Sequence, residues 1–142
     1  MESEIIIDLR VMDFECAPFE ITRLLGLQPT VTWSKGEAKS KSGRGTQKFE
    51  ENGWAWSRKL QSTEGALDFN TLFADLLKEV GPVKDNFKRL PARTCVQLAC
   101  VAYIRNGTPS FSLEEPIIQL LADINASVDF DLYCLNAIPQ VN

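Results

Sequence analysis

Histidine is absent from this chain. Its side chain titrates nearest neutrality, which makes it the commonest general base and metal ligand. Its absence excludes Ser-His-Asp and Cys-His catalytic arrangements together with two-histidine zinc sites. Closely paired cysteines are missing too. Cys16, Cys95, Cys100 and Cys134 form no Cys-x-x-Cys. Cys95 and Cys100 stand five apart in an expected strand, so they point to opposite faces and share neither a disulfide nor a metal. All four have apolar neighbours and read as buried free thiols. No metal site and no cofactor motif are expected. No apolar run approaches the roughly 18 residues that span a bilayer. Met1-Glu2-Ser3-Glu4 lacks the basic and apolar regions of a signal peptide, so the expected location is the cytoplasm.

What is present is ordinary for a soluble protein: 44% hydrophobic and 24% charged residues over 142 positions, with a net charge of −4. That length suits one domain with a proper core, taken as 1–142. The charge argues against nonspecific attraction to nucleic acid or an anionic membrane. It suits a basic protein partner.

The pattern of apolar residues predicts the elements. Ile5, Ile7, Leu9 and Val11 alternate with Ile6, Asp8, Arg10 and Met12, which is a strand with one fully apolar face. Pro18 opens a helix carrying Ile21, Leu24 and Leu25, and Gly26 closes it. Pro29 and Thr30 start an extended segment through Trp33. Residues 34–48 hold Lys35, Lys39, Lys41, Arg44 and Lys48 with Glu37 as the one acid, and read as a flexible basic loop. A strand from Gly53 to Leu60 sets Trp54 and Trp56 on one face. Asp68 caps a helix with Phe69, Leu72, Phe73, Leu76, Leu77 and Val80 on its apolar stripe, stopped by Gly81 and Pro82. Val83, Phe87 and Leu90 suggest a further helical piece.

Residues 94–104 are apolar on both faces, as in an interior strand, and Asn106-Gly107 marks a turn. Ser112 and Glu115 form a capping box for a helix with Ile117, Leu120, Leu121 and Ile124 buried. In the last strand, Ala126 to Leu135, residues Val128, Phe130, Leu132 and Cys134 face in, and Asp129, Asp131 and Tyr133 face out. The expected fold class is α+β: a two-layer sandwich with a mostly antiparallel sheet and helices on one face. Its first βαββαβ can be ferredoxin-like, with an added helix and strand.

Several segments in order carry a resemblance: Ile21-Thr22-Arg23-Leu24-Leu25-Gly26-Leu27-Gln28-Pro29-Thr30, then Trp33 and Gly36, then Gly53-Trp54, then Val128-Asp129-Phe130-Asp131-Leu132-Tyr133. The set resembles the bacterial family called domain of unknown function 4279, across nearly the whole chain. The resemblance implies a compact bacterial α+β domain and no established activity. Small acidic bacterial families of this kind sometimes serve as immunity proteins beside toxins.

Three groups are candidate sites. Asp129 and Asp131 project from one strand face roughly 7 Å apart, with Tyr133 beside them. They suit a binding surface, a hard cation or acid–base work, or simply keep the strand wet. Arg10 can pair with either acid if the first and last strands are neighbours. Trp54, Trp56 and Arg58 are packing if their face is the core, and a cation–π platform if it is uncovered. The basic loop lacks the P-loop spacing, and is either a solvated hairpin or a weak contact for protein or phosphate. The leading expectation is a non-enzymatic protein-binding domain, most concretely an immunity protein that occludes a toxin. The alternatives are a small-ligand or enzymatic domain using surface carboxylates, and a weak nucleic-acid binder through the basic loop. No membrane partner is expected, and the sequence leaves the oligomeric state open.

Overall fold

A computed structural model describes residues 2–39, 47–64, 67–105, Gly107 and 109–135. Strand β1 (Ser3–Met12) buries every second residue, as its alternation requires. Helix α1 (Pro18–Leu25) has proline in its first turn, where the missing N–H has no intrahelical partner. It ends on Gly26, whose φ of 66° lets its N–H reach Thr22 O at 2.9 Å. A short strand β2 (Val31–Trp33) leads through the basic segment to β3 (Gly53–Ser62).

Helix α2 (Phe69–Val80) starts where Asp68 accepts a hydrogen bond from the Asn70 N–H at 2.9 Å. Gly81 and Pro82 end α2, but the chain continues directly as a 3-10 segment, Gly81–Arg89. Then come β4 (Cys95–Ile104), α3 (Glu115–Asp123) and β5 (Ala126–Cys134). The capping box expected at α3 does not form. Glu114 is the N-cap residue and gives no side-chain cap, while the Ser112 hydroxyl accepts from Asn70 Nδ2 at 3.0 Å and ties this loop to α2.

The sheet order is β2-β3-β1-β4-β5. β1 is antiparallel to β3 and β4, β2 is antiparallel to β3, and β5 lies parallel to β4. The first four strands have the order and directions of a ferredoxin-like βαββαβ, and α3 with β5 adds one parallel crossover. The α+β class with a mostly antiparallel sheet is therefore correct.

Register explains the core. Leu9 stands opposite Trp56 on one side and Leu98 on the other; Ile7 stands opposite Arg58 and Cys100. One inner row thus crosses the sheet and meets Ile21 and Leu25 of α1, Phe69, Leu72, Phe73, Leu76 and Val80 of α2, and Ile117, Leu120 and Leu121 of α3 in one apolar cluster. Among the described residues, no helix lies on the other face.

At the β2 edge, the Trp33 ring lies directly on Gly53 and stacks on Phe49 with centroids 5.5 Å apart. A Cβ at position 53 would sit 1.9 Å from Trp33 Cε2. Only glycine lets the ring seat there. The Gly53→Ala variant should therefore lift the indole and lose about 1–3 kcal/mol of stability. The readout is a lower urea midpoint with unchanged slope; a midpoint equal to the wild type would refute this seating.

Candidate functional site

Period-2 alternation decides which side of the sheet each candidate residue occupies. In β3, residues Trp54, Trp56, Arg58 and Leu60 stand opposite the inner row of β1, so they face the helices. Trp54 and Trp56 are 0% and 1% exposed. The Trp54 indole N–H donates to Thr22 Oγ1 at 3.0 Å, which satisfies a buried donor. Arg58 lies over the Trp56 ring, 4.3 Å from its centroid, pairs with Glu79 of α2 and donates to Ser57 O at 2.7 Å. Trp54, Trp56 and Arg58 are thus a packing unit that joins sheet to helices. The surface platform considered for them is corrected: the helix layer covers that face.

The acidic pair does face outward. Asp129, Asp131 and Tyr133 lie on the helix-free side of β5, opposite Ala99, Val101 and Tyr103 of β4. The rings of Tyr103 and Tyr133 stack with centroids 5.2 Å apart at 15°. A hydrogen bond to the Asp131 carboxylate, reinforced by its charge, holds the proton on Tyr133 beyond the usual phenol range. Arg10 does not reach these acids, because β4 intervenes. It pairs with Asp8 on its own strand at 3.2 Å, and Asp8 also accepts from the Ser57 hydroxyl. Among the described residues, no Lys or Arg forms an ion pair with Asp129 or Asp131.

The inward side of β5 departs from expectation. Ala126 and Val128 pack on the core. Phe130 and Leu132, on the same row, are 43% and 52% exposed, and Cys134 is exposed as well. Length explains this. Nine residues of helix cover about 14 Å, and nine of strand extend about 30 Å. Helix α3 therefore shelters only the first half of β5. The aromatic side chain of Phe111, itself packed on Phe69 at 5.0 Å, meets Phe130 edge-on at 6.0 Å and marks the limit of the core.

The expectation of four buried thiols is also corrected. Cys95 and Cys134 are exposed, Cys16 is half-buried, and Cys100 is buried. Cys95 looks out from the helix-free face and Cys134 from the uncovered end of β5. Among the described residues no group of acids and cysteines is arranged to hold a metal ion.

Of the basic loop, Lys41 and Arg44 lie outside the described residues. The flanks close as a hairpin: Gly36 N–H donates to Phe49 O at 2.9 Å, Phe49 N–H to Glu37 O at 2.8 Å, and Lys39 N–H to Gln47 O at 3.1 Å. Lys39 lies over the Phe49 ring at 5.8 Å. Lys48, exposed, bridges to Ala38. Lys35 lines a cleft of about 410 Å³ together with Asp13, Phe14, Glu15, Glu50, Glu51 and Asn52.

Asn52, which sequence reasoning missed, organises that corner. Its Nδ2 donates to Phe14 O, Glu15 O and Cys16 O at 3.4, 3.4 and 3.1 Å, and its Oδ1 accepts from the Lys35 N–H at 2.7 Å. Neither this cleft nor an adjacent one of about 360 Å³ includes Asp129 or Asp131. Among the described residues no helix is long and apolar enough to cross a membrane.

These features define an α+β domain whose distinctive surface is a half-covered edge strand. The model for a domain of unknown function, DUF4279, matches residues 3–135, and the chain belongs to that family. No curated protein and no solved structure matches the chain.

Cys100 gives this part of the sheet a chemical readout. Burial above all, with the charges of Asp129 and Asp8, pushes its thiol from 9.0 up to about 12. The unfolded thiol ionises at lower pH than the folded one, so the folded state holds more protons between those values. Stability should fall as pH rises through that window. The Cys100→Ala variant should flatten the decline in urea midpoint above pH 9.0; an unchanged alkaline slope would refute the assignment. At neutral pH a thiol reagent should modify Cys95 and Cys134 quickly and Cys100 only on unfolding.

Proposed function

We propose that this domain works by binding another polypeptide, and that β5 is the contact. The observation that carries this reading is the uncovered half of an edge strand, with Phe130 and Leu132 exposed on one face and Asp129, Asp131 and Tyr133 on the other. Exposed apolar side chains rimmed by charge have the composition of an interface centre. The acids raise the encounter rate with a basic partner, and the apolar row slows release. In its finer form the domain is a bacterial, cytoplasmic immunity protein, and docking on β5 occludes a toxin. The sequence features supporting that form are its small acidic character and the absence of histidine and cofactor motifs.

A second reading rests on the cleft at Asn52. Asp13, Glu15, Glu50 and Glu51 face a single lysine there, which suits a small cationic ligand more than a phosphate. The nucleic-acid reading of the basic loop gains nothing from Lys35, which already lies among these acids.

The test is affinity capture followed by titration of the captured polypeptide. The wild-type chain is expected to hold a stoichiometric partner with sub-micromolar affinity. Leu132→Glu should weaken it by about a hundredfold, Asp131→Asn less, and Lys59→Ala on the same sheet not at all. Binding that ignores both Leu132→Glu and Asp131→Asn would remove β5 from the contact.

A further inference from the structure

The free edge of β5 has a direction, a polarity and a charge, and together they specify what can lie against it. The Leu135 N–H donates to Ile104 O at 2.8 Å, continuing the parallel ladder beyond Cys134. Odd-numbered residues of β5 therefore turn their N–H and C=O groups toward β4. By alternation, Val128, Phe130 and Leu132 turn theirs away from it. Among the described residues no strand pairs with this side. The backbone groups that await a partner thus belong to the residues of the inner apolar row, in which Val128 packs on the core and Phe130 and Leu132 are uncovered. Asp129 and Asp131 occupy the opposite face of the same segment.

We infer that this edge takes an extended segment of another protein as a sixth strand, one that alternates apolar side chains with Lys or Arg. This rests on the binding role proposed above and names the chemistry of the partner. A strand added here places its own alternate residues beside those of β5, with Cβ atoms about 4.5–5.5 Å apart. Its apolar residues extend the row of Val128, Phe130 and Leu132 past the end of α3. Its other residues come to lie beside Asp129 and Asp131. Their register partners on β4 are the uncharged Ala99 and Val101, and among the described residues no Lys or Arg forms an ion pair with them. Basic residues in the added strand complete both pairs.

A second copy of this chain fits less well. Pairing β5 with itself about a two-fold axis at any of residues 129 to 131, the middle of the strand, sets Asp129 or Asp131 opposite a carboxylate. Like charges in that position are destabilising. The same row of acids therefore favours a basic strand and disfavours self-association.

The experiment uses the full chain and four synthetic peptides. KVKFKVK carries the proposed pattern, SVSFSVS removes its charge, EVEFEVE reverses it, and KKVVKFK keeps the charge while breaking the alternation. Affinity is read by fluorescence anisotropy and location by amide exchange along β5. KVKFKVK is expected to bind most tightly and to protect the amides of Val128, Phe130 and Leu132. EVEFEVE should not bind, and KKVVKFK should bind without protecting those amides.

The doubly substituted Asp129→Asn, Asp131→Asn chain, altered only on the exposed face, should weaken KVKFKVK by about tenfold and leave SVSFSVS unchanged. Equal binding of KVKFKVK and SVSFSVS at β5 would overturn the basic-partner assignment and leave strand docking standing. No protection of β5 by any peptide would overturn both. Concentration-dependent dimerisation of the chain alone, with those same amides protected, would make the second copy the occupant and overturn the proposal.

Discussion

The central position of β1 sets the rest of the structure. It is hydrogen-bonded on both sides, to β3 and to β4, and its inner row of Ile5, Ile7, Leu9 and Val11 is fully buried. Because side chains alternate with period two, a one-residue slip would turn that row to solvent and bring Asp8 and Arg10 into the core. Every inner position of β3 and β4 follows from it by register. Trp54 and Trp56 belong to the core because they face Val11 and Leu9. The helices then close over a surface that β1 has already chosen.

The sheet is wider than its helix layer, and that mismatch creates the candidate surface. The ferredoxin-like part is covered in balance, with α1, α2 and the 3-10 segment over four strands. The appended unit is unequal, a short α3 serving a longer β5. Aromatic packing through Phe69, Phe111 and Phe130 carries the core toward the edge. An edge strand with exposed apolar residues is a hazard that proteins commonly blunt with charge. Asp129 and Asp131 answer to that need, and the recognition proposed for them would use the same charge, because both act on what approaches the same edge.

Much of the fold was legible in the chain because each element announces itself locally. The alternation in β1, the stripe from Phe69 to Val80, the Pro18 and Gly26 limits of α1 and the strand order implied by βαββαβ all reappear. What failed depended on tertiary neighbours. Ser112 matches a capping box by spacing, yet its hydroxyl is engaged by Asn70. Arg10 can reach Asp129 only if two strands adjoin, and β4 separates them. Phe130 and Leu132 have the alternation of core residues, and whether they are covered depends on the reach of α3. Comparing the two lengths would have raised the question, since a nine-residue helix cannot shield a nine-residue strand. The role of Asn52 left no local signal at all, because its partners come from a loop far away in sequence.

Asn52 is followed by Gly53, and this dipeptide is the one most prone to chemical ageing in water. Loss of the side-chain amide proceeds when the following backbone nitrogen swings onto the asparagine carbonyl carbon and closes a five-membered ring. Glycine usually permits that swing. Here the Asn52 amide is held by three carbonyls and one N–H, and Gly53 is fixed at the head of β3 beneath the Trp33 ring. The folded chain therefore keeps the two reacting groups from lining up. Opening of this corner starts the clock, and the resulting carboxylate, having lost its donors, would face the Phe14, Glu15 and Cys16 carbonyls oxygen to oxygen. A molecule in which that ring had once closed would carry a permanent mark, and this corner would not close again in the same way.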